Sequence, residues 1–236
     1  MKKTGFIILI LCSALLLIDQ DERFPIGIPL SEYTFKQFSH PFTPHTVSNL
    51  IYVPYEHFPE EEAINMIQHI SQIHTSILVK AEEAGIKIKL FQGKLTDQAE
   101  MLTLKGKLPR GYSKADPSWD FVPGIGGGKI VYAKIGHSEM GKGHGSIALE
   151  LHEFAHSLDK YVFSYVRLDP LFLAVWQEEA TTLFPNHSYF HRFPEEYFAE
   201  SFALYYKSDE SRTYLESKAP LTFEYMEQLI LNIENM

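Results

Sequence analysis

The chain has 236 residues, of which 45% are hydrophobic and 14% aromatic, enough apolar material for one sizeable core and too much for a disordered protein. Its formal net charge of −9 argues against nucleic acid or an anionic membrane surface as the main partner. The single cysteine, Cys12, excludes a disulfide framework within the chain.

Lys2 and Lys3 precede an uncharged, largely apolar run from Gly5 to Ile18 that ends at Asp19. This is the n-region and h-region of a secretory signal, short for a membrane span, so residues 1–20 are read as a signal peptide and the protein as secreted and extracellular. Cleavage after Cys12-Ser13-Ala14 would leave an apolar new N-terminus, which keeps a retained signal anchor as the alternative. Cys12 lies inside this segment, so the mature chain has no cysteine nucleophile.

Residues 21–47 carry several prolines without periodicity and read as an N-terminal spacer. The catalytic domain is expected over 48–236. Asn49–Val53 is a predicted strand, and Pro59 opens a predicted helix with Glu60, Glu61 and Glu62 suited to its N-terminal dipole. Its apolar line runs Ile64, Ile67, Ile70, Ile73, Ile77 and Ala81, with Gly85 as the natural C′ residue. His69 and His74 lie five apart on it, poor spacing for a shared ligand, and read as structural or exposed. Ile86–Phe91 alternates with lysines as a half-buried strand. A loop-rich stretch follows to Gly128. The run Gly124-Ile-Gly-Gly-Gly-Lys129 fails the phosphate-loop pattern at both flanks.

Lys129–Ile135 is a predicted strand, and the next helix carries Ala148, Leu151, Ala155, Leu158 and Val162 at helical spacing, with Ser146 as expected N-cap. Asp169 caps and Pro170 begins a further helix to about Phe184; Pro194 begins another over Glu195–Tyr206. Two terminal helices are expected from Ser208 and over Leu221–Ile233. Strands come early and helices late, so the fold class is α+β.

The chemistry lies in His152-Glu153-x-x-His156. Residues four apart stack on one helix face, so two imidazoles can point at one metal ion, with Glu153 beside it as a base for an attacking water. In a chain with eleven histidines the pattern alone is weak, and its flanks decide. Ala-Leu-Glu-Leu-His-Glu-Phe-Ala-His suits a buried helix, whose polar residues need partners that a metal supplies.

A catalytic zinc ordinarily has three protein ligands and one open position. The long metzincin signature is excluded, because Asp159 and Val162 stand where it needs Gly and His. Asp159 cannot curl back to an ion held by its own straight helix, so it is assigned a supporting role. The helix Pro194-Glu-Glu-Tyr-Phe-Ala-Glu200 offers Glu196 and Glu200 on one face, one to bind metal and the other to orient a ligating imidazole. Spacing alone does not choose between them.

The run Lys142-Gly-His-Gly-Ser-Ile-Ala-Leu-Glu-Leu-His-Glu-Phe-Ala-His156, with Phe193-Pro-Glu-Glu-Tyr-Phe-Ala-Glu-Ser-Phe-Ala203 and Trp119-Asp-Phe-Val-Pro-Gly124, resembles the Pro-Pro endopeptidases. These are small secreted zinc proteases related to the catalytic domain of anthrax lethal factor. The resemblance covers roughly residues 48–236. It implies a zincin-like fold, and one zinc per chain held by His152, His156 and Glu196, with Glu200 supporting. It also implies Glu153 as general base and Tyr189 as a hydrogen-bond donor to the oxyanion.

The resemblance further implies that Lys129–Ile135 is the edge strand on which substrate lies, through Lys129, Ile130 and Val131, and that Trp119 packs against proline rings. One departure is Pro117, where the family has a lysine that pairs with the Glu at position 195; Lys114 is the nearest substitute. The expected activity is a secreted zinc metalloendopeptidase acting on proline-containing polypeptides. The alternatives are a toxin-type protease acting on a host protein and a metal-free binding module of the same fold.

Overall fold

The computed structural model describes residues 26–36, 45–109 and 117–235. The expected signal segment, part of the expected spacer and Lys114 lie outside them. The described part of that spacer belongs to the domain. β1 (Ile28–Pro29) pairs antiparallel with β2 (Ile51–Val53), and Leu30 and Phe35 are buried in the main core. Ile26, Leu30 and Phe35 are spaced irregularly, so they are buried without showing a period. Of the strand expected over Asn49–Val53, Ile51–Val53 is β2, while Asn49 and Leu50 belong to a short helix, α1 (His45–Leu50). Val47 and Leu50, three apart, are both fully buried, which is helical rather than alternating contact.

The helix expected from Pro59 to Gly85 is two helices, α2 (Glu60–Ser71) and α3 (Thr75–Glu83). His74 is extended, with φ −54° and ψ 133°, and breaks the run. Periodicity missed the break because Ile70, Ile73 and Ile77, on either side of it, all still face the core. Gly85 follows α3 with φ +70°, the left-handed turn expected of a C′ glycine.

With β3 (Lys87–Phe91), β4 (Gly124–Ile125) and β5 (Ile130–Lys134), the sheet order is β1-β2-β3-β5-β4. The three inner strands are parallel and both edges antiparallel. This corrects one expectation: the strand over Lys129–Ile135 is interior, flanked by β3 and β4, and the edge is β4. Gly124 lies opposite Ala133 and Ile125 opposite Tyr132. Two residues in a glycine-rich run carry no strand pattern, yet backbone pairing needs no side chain.

The C-terminal half is helical: α4 (Leu149–Tyr161), α5 (Pro170–Leu183), α6 (Pro194–Lys207), α7 (Asp209–Lys218) and α8 (Pro220–Glu234). Asp169 caps α5 as expected, its carboxylate accepting from Leu171 N–H at 3.0 Å. α4 is not capped by Ser146, however; Ala148 is its N-cap, and the Ser146 hydroxyl accepts from Ala148 N–H at 3.3 Å instead. α4 and α6 form the most extensive helix pair. Ala155, Ala199 and Ala203 are fully buried and let the two backbones approach, while Phe154, Leu158, Phe198 and Phe202 fill the space around them. That close approach brings residues 152–156 up to 196–200. Among the described residues, no helix is long and apolar enough to cross a membrane.

Candidate metal centre and its groove

α4 presents His152 and His156 on one face, and the first turn of α6 presents Glu196 opposite them. The two Nε2 atoms are 3.2 Å apart, and Glu196 Oε2 lies 3.3 Å from that of His152 and 3.6 Å from that of His156. Three ligand atoms held tetrahedrally about 2.0–2.1 Å from one ion would be about 3.3 Å from each other. The donor set therefore fits zinc. Two imidazole nitrogens facing each other across so short a gap must share either a proton or a metal ion.

Glu200 reaches the same histidine from behind. Its Oε2 lies 3.0 Å from His152 Nδ1 and its Oε1 accepts from Ile147 N–H at 2.8 Å, at 2% exposure. With Nδ1–H donating to Glu200, His152 Nε2 keeps its lone pair for a metal. Burial pulls the His152 imidazole down, but hydrogen bonds to Glu196 and Glu200 and the charges of Glu200 and Glu153 hold it up at about 10. Burial likewise opposes ionisation of Glu196, yet hydrogen bonds from His152 and His156 drive its carboxyl far below the ordinary range. The cluster is strongly cation-seeking, and a metal entering it displaces protons.

Glu153 faces the groove beside the cluster, its carboxyl raised by burial against the pull of His152 and His156. The backbone of β4 and its continuation presses on it. A Cβ on Gly126 would lie 1.9 Å from the Glu153 carbonyl oxygen, and one on Gly124 would meet Glu153 Cγ at 3.0 Å. The glycine run thus exists to let the edge strand touch the active helix. Gly126→Ala is expected to destabilise the protein by about 2–4 kcal/mol, since backbone meets backbone and neither can yield cheaply. Gly128→Ala, with its nearest contact at 3.4 Å, is expected to be mild; thermal melts of the two variants check the ranking.

A groove of about 460 Å³ runs past His152, Glu153, His156 and Glu196. Tyr189 lines it at 49% exposure, on the same surface as the metal cluster. Trp119 lines it too, its other face packed on the small cluster of Phe91, Leu95 and Tyr132. Asp120, which sequence reasoning passed over, anchors that tryptophan. Its carboxylate accepts from Thr96 Oγ1 at 2.7 Å, Gly106 N–H at 2.7 Å and Ser118 Oγ at 2.8 Å, which together hold its pKa down at about 2. A larger cavity of about 570 Å³ lies behind α6 and shares only Glu200 with the metal cluster.

Three expected substrate contacts do not reach the groove. Val131 is fully buried, Ile130 packs on the Phe91 cluster, and the Lys129 ammonium turns away to Ala84 O and the Tyr161 ring. Their strand is interior, and the groove is lined instead by Gly124, Ile125, Gly126 and Gly127. Asp159 holds Arg167 instead, one oxygen accepting from its backbone N–H at 3.3 Å and the other forming an ion pair with Nε at 3.3 Å. His69 pairs with Glu150 at 2.6 Å and His74 with Ser76 at 2.7 Å, structural roles as expected. Pro117 is exposed and Glu195 lines the groove.

The chain matches the family model described as anthrax toxin lethal factor, N- and C-terminal domain, over residues 39–229. It is similar to a protein named Pro-Pro endopeptidase from Paenibacillus alvei, 39% identical over 186 residues, spanning 79% of this chain and 85% of that one. A protein of the same name from Clostridioides difficile is 37% identical over 184 residues, 78% of this chain and 83% of that one. The solved structure of the Pro-Pro endopeptidase from Paenibacillus alvei superposes with a TM-score of 0.75 at 38% identity, covering 78% of this chain and 99% of that chain.

Proposed function

We propose that this chain, which belongs to the family of the anthrax toxin lethal factor N- and C-terminal domain, is a zinc metalloendopeptidase that cleaves proline-containing polypeptides outside the cell. The observation that carries the reading is the convergence of His152, His156 and Glu196 on one point, with Glu153 beside it in an open groove. A metal-free binding module would have no use for that set.

His152, His156 and Glu196 would hold the zinc, and Glu200 orients His152 for it. Zinc, when bound, polarises the scissile carbonyl and makes water a nucleophile near neutral pH. Glu153 takes the proton of the attacking water and passes it to the leaving nitrogen, which for a bond before proline is the ring nitrogen. Tyr189 lies on the rim of the same groove, where its phenol donates to the oxyanion as charge develops.

The groove also suits proline as substrate. Its edge strand is two residues long, so it offers few ladder hydrogen bonds. Proline has no N–H to give such a ladder and is already stiff and extended, so an aromatic and apolar wall of Trp119, Val122 and Ile125 is the better grip. The Pro-Pro endopeptidase name of two relatives points the same way. Incubating the zinc-loaded protein with a combinatorial peptide library and sequencing the products by mass spectrometry tests this. Enrichment of proline on both sides of the cut is expected, and cleavage with no proline enrichment would overturn the substrate class.

A further inference from the structure

His152, His156 and Lys160 follow one another at four-residue spacing on α4, so Lys160 stands one turn beyond the second histidine on the face that carries the metal cluster. One such step is about 6 Å along the axis, the length of roughly two residues of extended peptide. Lys160 lines the groove, its ammonium 3.5 Å from Gly127 O and 4.8 Å from the Tyr161 ring centre. Among the described residues it pairs with no carboxylate.

Arg167 lines the same groove and is brought back to it by an unusual turn. Ser164 and Tyr165 are consecutive non-glycine residues in the left-handed region, with φ 57° and 68°. Side chains disfavour that conformation, and the surroundings must hold it. Asp159, fully buried, does so. Its carbonyl accepts from Tyr165 N–H at 2.6 Å, and its carboxylate accepts from the Arg167 backbone N–H and forms an ion pair with Nε. A guanidinium has five N–H donors, so one paired with Asp159 on its Nε side leaves its terminal nitrogens for a ligand.

We infer that Lys160 and Arg167 form a subsite for an acidic side chain of the substrate, about two residues from the cleaved bond and on one side of it only. On a chain of net charge −9 an acidic peptide meets repulsion almost everywhere, so two cations at one end of the groove set a local preference. Glu195 also lines the groove and repels an acid placed beside it, which confines the preference to one position.

The inference rests on the endopeptidase reading and is tested with the zinc-loaded full chain. Peptides with a proline core carry Glu, Gln or Lys at the second or third residue on either side of the cut, and kcat and KM are measured for each. At one position Glu is expected to beat Gln by about tenfold, mainly through KM, with the gap shrinking as salt rises. Lys160→Glu is expected to invert the order at that position, favouring Lys over Glu. Arg167→Lys, chosen because loss of the charge would strand buried Asp159, is expected to keep the sign but shrink the ratio to about threefold. Equal cleavage of the Glu, Gln and Lys peptides, or no inversion in Lys160→Glu, would overturn the subsite alone. No cleavage of any peptide would overturn the endopeptidase reading and this inference together.

Discussion

Glu153→Gln is expected to cut kcat on a proline-flanked peptide by about 10²–10⁴-fold while one zinc per chain stays bound. The amide keeps the shape of the carboxylate, and the atoms that would hold the metal belong to His152, His156 and Glu196, none of which it alters. What disappears is a group able to take a proton from water and return it to the leaving nitrogen. Tyr189→Phe is the natural comparison. It removes one donor from the groove rim and should cost about 10²–10³-fold in kcat, also with zinc in place. Atomic absorption on the purified variants and steady-state kinetics separate the two readouts. A Glu153→Gln variant with near-normal turnover would mean that another group carries the proton.

The second large effect divides two glutamates on one helix. Glu196→Ala is expected to lose zinc almost completely, because among the described residues its Oε2 is the carboxylate oxygen that faces both Nε2 atoms, and to change thermal stability little, because it sits at the groove rather than in the core. Glu200→Ala is expected to weaken zinc affinity by about 10–100-fold. It should also lower stability by about 1–3 kcal/mol, since its removal strips the acceptor from His152 Nδ1–H and from Ile147 N–H in a buried setting. Zinc titration and thermal melts of the two apo-proteins should therefore rank the variants in opposite order. Ranking both measurements the same way would show that the ligand and the supporting carboxylate have been exchanged.

Much of this was legible because it is local. A four-residue repeat puts His152 and His156 on one face whatever else the chain does, and Asp169-Pro170 and Pro194 mark helix starts through their own backbone chemistry. The same local rules misplaced the break at Gln72–His74, since periodicity registers which side chains are buried and not whether the axis continues through them.

The sequence by itself marked the candidate metal-binding pair, the proposed base, the helix carrying the third carboxylate and the α+β order of elements, all properties of residues close together in the chain. Spacing left open which glutamate faces the metal side, and the tertiary structure sets Glu196 against both Nε2 atoms and Glu200 against His152 Nδ1, since their division of labour depends on where α4 crosses α6. It alone decided that β4 is the edge and β5 is interior, because sheet order is set by which backbones find each other, and the two glycine-rich residues of β4 pair without leaving a pattern. Asp159 shows the same limit. Its position on α4 suggested a role at the metal, but a buried carboxylate goes to the charge that folding brings nearest, and folding brought Arg167.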